Sequence, residues 1–310
     1  MLLRPLVRAT GLLLVASLLI FLAAAALPGD ALEVRSGGRV TAAELTQLRS
    51  AAGLDRPLLV RWLDWLAGLS VGNPGQSLVT GRPVADLVIG RIPVSTALVV
   101  GAIAVATPLA LALAWLGSRG PDWARSMVAA GTAAAAALPQ VVVAAALVAL
   151  LSTAWDLVPP VSLFPADATP WSRPDLLVLP VLTLALPTAA YAAGLLRAGL
   201  QDAVGRPFVR DAVLRGIPAR TVTLRYVLPT VAPLATRLLA VLVGSLVAGT
   251  TVAETLFGIA GLGELLVTAV GARDAPTVQA VALLAAAVVV AGLLLADAVA
   301  TATDPRVAHR

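Results

Sequence analysis

The chain has 310 residues, of which 59% are hydrophobic and 13% charged, and its mean hydropathy is +0.93; soluble domains run at roughly 45–50% apolar and about 25% charged, so the chain reads as an integral membrane protein. It contains no cysteine and no lysine, and its single histidine is His309, which excludes disulfides, thiolate metal sites and the lysine of a G-x-x-x-x-G-K-[ST] phosphate loop. The net charge of +5 suits an anionic partner, and the positions of the arginines assign that partner to the lipid bilayer and not to nucleic acid.

A crossing helix needs about 20 mostly apolar residues. Six stretches qualify, at 6–27, 92–117, 124–152, 175–199, 229–251 and 277–302. The first carries Arg4 and Arg8 ahead of an apolar run from Ala9 to Leu27. That run exceeds a secretory signal core, so it is expected to stay as an anchor. Arginines of short loops prefer the cytoplasm. With the N-terminus inside, the cytoplasmic segments hold Arg4 and Arg8, Arg119 and Arg125, the group from Arg206 to Arg225, and Arg306 and Arg310. The short outside loops hold Arg173 and Arg273. Both termini are therefore expected in the cytoplasm, and the chain divides into an anchor at 1–27, an extracytoplasmic segment at 28–91 and a core transmembrane domain at 92–310.

The 28–91 segment carries seven arginines against six acids, a balance that suits a folded segment. Thr41-Ala-Ala-Glu44 has the spacing of a capping box, and Gly53 can close the helix it opens. A second helix is predicted from Pro57, with Leu59, Trp62, Leu63, Leu66 and Leu69 near one face. That stripe is expected to pack on the spans or lie at the bilayer interface. GNPGQS at 72–77 reads as a turn leading through Gly81-Arg82-Pro83 into the second span.

Pro139-Gln140 interrupts the third span and Pro187 the fourth. Prolines inside spans free backbone carbonyls, which is tolerated against protein or a wet pathway. With Tyr191 they could line a translocation route, or serve as kinks that help packing. Glu254 is expected to open a short outside segment with a structural or gate-lining role, where Gly258, Gly261 and Gly263 permit a re-entrant turn. Asp297 late in the last span reads as structural, and Arg237 as a side chain that snorkels inward.

Between the fourth and fifth spans hydrophobicity collapses, and residues 206–220 read RPFVRDAVLRGIPAR. Pro207 suits a first helical turn, and Gly216 and Pro218 stop it. Asp211 and Arg215 are spaced for an ion pair one turn apart. So short a helix is marginal alone in water. It could set topology, meet anionic lipid, or dock a cytoplasmic partner, with Ala212 and Gly216 permitting close approach.

RDAVLRG followed by a proline-containing start of the next span resembles the EAA loop of binding-protein-dependent ABC transporter permeases, in particular the first permease of dipeptide, oligopeptide and nickel importers. LPGDAL at 27–32, LDRPLLVRWLDWL, SLVTGRPVADLVIGRIPVS, AETLFGIAGLGELLVTAVGARDAPTVQA and the closing TDPRV are similar to that family in the same order. The resemblance implies an all-α fold of six transmembrane helices, the type I importer permease fold. It implies that the helix near 207–216 is a coupling helix, with Asp211, Ala212 and Gly216 at the motif's acidic, alanine and glycine positions and Phe208, Arg210 and Arg215 beside them. Val213 and Leu214 replace more typical small or charged residues. The implied partners are a second permease, two cytoplasmic ATPase subunits and an extracytoplasmic binding protein. ATP and Mg are then bound by the ATPases and no cofactor by this chain. Peptides are the implied cargo, with nickel chelates, haem or glycosides as alternatives.

Other classes fit the residues less well. Ser245 has no histidine or lysine within the membrane to activate it as a hydrolase nucleophile. An ion-driven carrier would call for paired intramembrane carboxylates or symmetric broken helices, which the sequence does not display.

Overall fold

Long runs of Ala, Leu and Val without hydrogen-bonding side chains leave the backbone to satisfy itself, which in lipid means helices. The computed structural model describes residues 3–26, 41–51, 53–164 and 169–303, and among them helix dominates and the only β-type pairing is an isolated bridge between Gln76 and Pro83. LPGDAL at 27–32, and Asp304 to Arg310 with the rest of TDPRV, lie outside the described residues.

The helices in chain order are α1 (Leu3–Ala25), α2 (Ala42–Ala51), α3 (Leu58–Ser70), α4 (Val84–Ile89), α5 (Ile92–Arg119), α6 (Asp122–Ala137) and α7 (Gln140–Leu147), the last continued by a π-helical turn at Val148–Ala154. After two short 3₁₀ turns come α8 (Val178–Gly205), α9 (Pro207–Leu214), α10 (Ala219–Val222), a π turn at Thr223–Val227, α11 (Leu228–Phe257), α12 (Leu262–Gly271) and α13 (Ala275–Thr303). Among the described residues, four helices are long and apolar enough to cross a membrane, or up to six if each of two bent pairs is one span. The third expected span, 124–152, is one of those pairs: α6 and the α7 segment meet at 106°. Pro139 is the reason, since it lacks an N–H and keeps Leu138 extended at ψ 132°. The fifth extends to Phe257 before Gly258 turns at φ +70°, so Glu254 lies inside the helix and not at the start of an outside segment.

The chain forms two compact units. The first comprises residues 1–96 and 258–290. Here α2 opens on the expected capping box: the Thr41 N–H donates to Glu44 Oε2 at 2.8 Å and the Glu44 N–H to Thr41 Oγ1 at 3.4 Å. The Thr41 N–H, together with the Thr41 hydroxyl, which donates to Glu44 Oε2 at 2.9 Å, holds the Glu44 carboxyl below its ordinary range. Gly53, at φ +67°, closes α2 as expected, with Gly53 N–H on Ser50 O and Leu54 N–H on Arg49 O. The stripe on α3 divides. Trp62 donates to Ser17 Oγ of α1 at 3.3 Å, and Trp65 lies 6.1 Å from Phe21, whereas Leu59 and Leu63 are exposed. The packed face thus runs through Trp62, Trp65, Leu66 and Leu69, one turn apart at a time.

Asp274, 4% exposed, is the polar centre of this unit. Its carboxylate accepts from Ser77 Oγ at 2.5 Å, Leu78 N–H at 2.9 Å and Thr277 Oγ1 at 2.7 Å. It therefore fixes the 72–83 turn and the start of α13 together. The N-terminus of α12 is held in the same manner by the first turn of α5: Ser95 Oγ accepts the Leu262 N–H at 2.8 Å, and Arg91 donates to Gly261 O at 3.2 Å and pairs with Glu264.

The second unit comprises residues 97–257 and 291–310. Its centre is α8, whose buried positions are mostly alanine, with Leu179, Thr183, Leu184 and Leu196. Small side chains let neighbouring helices approach closely, and α6, α7 and α11 all pack on α8.

Candidate functional site

The basic loop begins where α8 ends at Gly205. Arg206 takes an extended conformation, φ −66° and ψ 141°, and Pro207 starts α9 at a position where its missing N–H costs nothing. Eight residues later the helix stops by a Schellman motif. Gly216, at φ +72°, donates to Val213 O at 3.0 Å, and Ile217 donates to Ala212 O at 3.2 Å. The glycine and proline punctuation seen in the sequence thus acts as expected. After α10, a π turn at Thr223–Val227 lies directly ahead of Pro229. Widening the helix there gives room to the carbonyl that the proline ring would otherwise crowd.

Packing separates the two faces of α9. Val209 and Ala212 are buried against the second unit, where α9 contacts α8, α10 and the π turn. Ala212 therefore turns toward its own chain: its small side chain permits close approach of α9 to the bundle, and not close approach of a partner to Ala212. Arg210, Asp211, Arg215 and Gly216 are exposed, with Asp211 and Arg215 paired at 2.7 Å. Phe208, Val213 and Leu214 are also outward, at 44%, 59% and 86% exposure. Leu214 is the most exposed of them, beside Arg210, Asp211 and Arg215 on that face. Sequence reasoning treated Val213 and Leu214 only as departures from a motif; their signal was an apolar side chain on the solvent side of a very short, otherwise charged helix.

The five residues considered for a pathway differ in exposure and in partners. Gln140 donates from Nε2 to Gly249 O of α11 at 3.2 Å, and a Cβ at 249 would lie 3.1 Å from Leu184 of α8. Gln140 thus ties α7 to α11 at a glycine that also lies close to α8. Pro139 is exposed at the break between α6 and α7. Pro187 lies inside α8, and Tyr191, one turn on, is 48% exposed. Glu254 is completely buried, one turn before the end of α11. None of the five lines the apolar cavity of about 170 Å³ between α5, α8 and α11, whose walls include Ala106, Ala192, Leu238 and Leu242. Ser245 donates back to Leu242 O at 3.0 Å, so its hydroxyl serves its own helix. Asp297 is exposed on α13, and the side chain of Arg237 lies outside the described residues. In the first unit a cavity of about 530 Å³ is lined by Phe21, Trp65, Arg56 and Gln279, among others. Arg61, also in its wall, has its pKa lowered by burial.

The family described as binding-protein-dependent transport system inner membrane component matches residues 94–309, and its N-terminal companion family matches residues 1–114. A putative peptide transport system permease protein of Brucella abortus is 28% identical over 314 aligned residues, covering 100% of this chain and 99% of its own. A probable peptide ABC transporter permease protein of Sinorhizobium fredii is 26% identical, with 99% and 98% coverage. The oligopeptide transport system permease protein AppB of Bacillus subtilis is 25% identical, with 96% of each chain covered.

Proposed function

Because the chain belongs to the family of binding-protein-dependent transport system inner membrane components, and is accordingly a multi-pass permease subunit of an ABC importer and not an enzyme, we propose that its cargo is peptide and that α9 is where it receives work from a separate ATPase. The peptide assignment is supported by what the relatives are named for. In this reading both termini and the basic loop face the cytoplasm, a second permease supplies the other half of the path, and an extracytoplasmic binding protein delivers cargo. Two ATPase subunits or domains bind ATP and Mg. The type I arrangement of six spans includes the α6–α7 pair as one bent span.

The observation that carries the coupling assignment is the outward face of α9. Leu214, 86% exposed, sits on a helix flanked by arginines that the positive-inside bias assigns to water and not to lipid. An exposed apolar side chain beside Arg210, Asp211 and Arg215 is the pattern of an interface centre with a polar rim. Ala212 and Val209 hold the helix to the bundle, so a displacement of α9 is passed to α8 through packed side chains. Closure of two ATPases would then shift the permease between inward-open and outward-open states, a population shift driven by the partners.

The test is a pair of substitutions at Gly216. A Cβ there meets nothing within 4 Å, so Gly216→Ala and Gly216→Trp share the same backbone strain and differ only in outward bulk. In the assembled transporter Gly216→Trp should insert normally, yet hydrolyse ATP without uptake. Gly216→Ala should keep most uptake. Equal uptake in the two variants would remove α9 from the coupling interface. Cargo class is read separately, by competition of peptides against uptake by the parent complex.

A further inference from the structure

A cavity of about 220 Å³ lies in the second unit, between the end of α5, the start of α6 and the last turns of α8. Ser118, Arg119, Arg125 and Gln201 form its polar wall, and Trp115 and Leu200 belong to its apolar wall. Charge there is unbalanced. Arg125 pairs with Asp122, whereas the Arg119 guanidinium sits 5.2 Å from the Trp115 ring centroid and has no carboxylate partner among the described residues. Arg197, one turn before Gln201 on α8, packs so closely over Gly117 that a Cβ there would fall 2.9 Å from Arg197 Cδ, and its Nε is buried without a hydrogen bond. Arg119 and Arg125 thus line the cavity, with Asp122 paired to Arg125 alone, and Arg197 lies one turn before Gln201 on α8.

Arg119 and Arg125 are exposed at the cavity, and two guanidinium groups on one cavity with a single ion pair between them leave positive charge that attracts an anion. The planar fork of arginine matches phosphate oxygens in bidentate fashion. Trp115 and Trp123, both exposed, are amphipathic rings of the kind that lie at headgroup level, and the apolar wall would accept the upper part of an acyl chain. Basic pockets between membrane helices are suited to anionic headgroups. We propose that this cavity binds the headgroup of an anionic phospholipid, with its phosphodiester held by Arg119 and Arg125. The proposal requires only that these helix ends lie at a leaflet surface, and it does not depend on the cargo or on coupling through α9.

Native mass spectrometry of the assembled transporter, released from nanodiscs of phosphatidylcholine doped with phosphatidylglycerol, tests it. The parent should retain phosphatidylglycerol in preference to phosphatidylcholine. The R119Q/R125Q variant should lose that preference, by about five-fold per arginine, the size expected of one basic side chain at an anionic surface. R220Q, which removes an exposed arginine away from the cavity, should behave as the parent. Equal retention of the two lipids by the parent, or undiminished phosphatidylglycerol in R119Q/R125Q, would overturn the proposal. The single R119Q variant is read in the same way if the double variant does not assemble. Inorganic phosphate added to pure phosphatidylcholine discs should leave the thermal midpoint unmoved; a rise equal to that given by phosphatidylglycerol would assign the cavity to a soluble anion instead.

Discussion

Two helices of this chain end with the same hydrogen-bond pattern on different chemistry. At the end of α9, Gly216 takes φ +72° and Ile217 N–H reaches back to Ala212 O. At the end of α12, Arg273 takes φ +59° and Asp274 N–H reaches back to Ala269 O. The left-handed position is natural for glycine and costs an L-residue roughly 1–2 kcal/mol. At α12 the next residue, Asp274, is buried and bonded to Ser77, Leu78 and Thr277, so tertiary structure fixes the turn and an arginine can occupy it. At α9 the stop is exposed, and among the described residues nothing lies within 4 Å of where a Cβ on Gly216 would stand. Glycine is then the local means of ending the helix, and the exposed stop is left available to a partner.

The largest expected effect comes from removing the support. Asp274→Ala leaves two hydroxyls and one backbone N–H without their acceptor in a buried site, which should destabilise the protein by about 3 kcal/mol. Thermal unfolding of the assembled transporter in detergent would read this as a clear fall in midpoint, and a midpoint within error of the parent would break the comparison. Gly216→Ala should cost about 1 kcal/mol, because no surrounding contact shares the strain. Arg273→Gly sharpens the contrast from the other side. Relieving the left-handed strain should shift stability by less than about 1 kcal/mol in either direction, since the gain is opposed by a more flexible unfolded chain. A loss well beyond that would mean that the Arg273 side chain itself holds the turn.

The difference between the two stops also marks how far the sequence could be read. Helix limits set by local chemistry were legible: the Thr41–Glu44 box, Gly53, Pro207 and Gly216 each act within one turn of themselves. So was the Asp211–Arg215 pair, which needs only helical spacing. Asp274 was not, because its partners Ser77 and Leu78 lie nearly 200 residues away in the chain and no periodicity links them. The same holds for Gln140, whose bond to Gly249 depends on how α7 and α11 cross. The bend at Pro139 was only half legible: proline announced an interruption, but a kinked span and two helices at 106° read alike in composition. The outward position of Leu214 required knowing which face of α9 packs on the bundle, and an eight-residue helix offers too few turns for a pattern to show it.

The smallest expected change in stability separates fold from coupling. The Asp211–Arg215 pair is exposed at both ends, 56% and 72%, and pairs of this kind contribute roughly 0.3–0.5 kcal/mol within a helix. Asp211→Asn should therefore leave the thermal midpoint nearly unchanged. If α9 were only a topology-setting loop, uptake would be equally indifferent, since the substitution makes the loop more positive and favours the same side of the membrane. A partner seated on the outward face would instead meet one negative charge fewer beside Leu214. Uptake reduced at unchanged stability, with ATP hydrolysis retained, is the expected outcome for a docking helix, and it separates α9 from the α12 stop, where every effect on transport should be accompanied by a loss of fold.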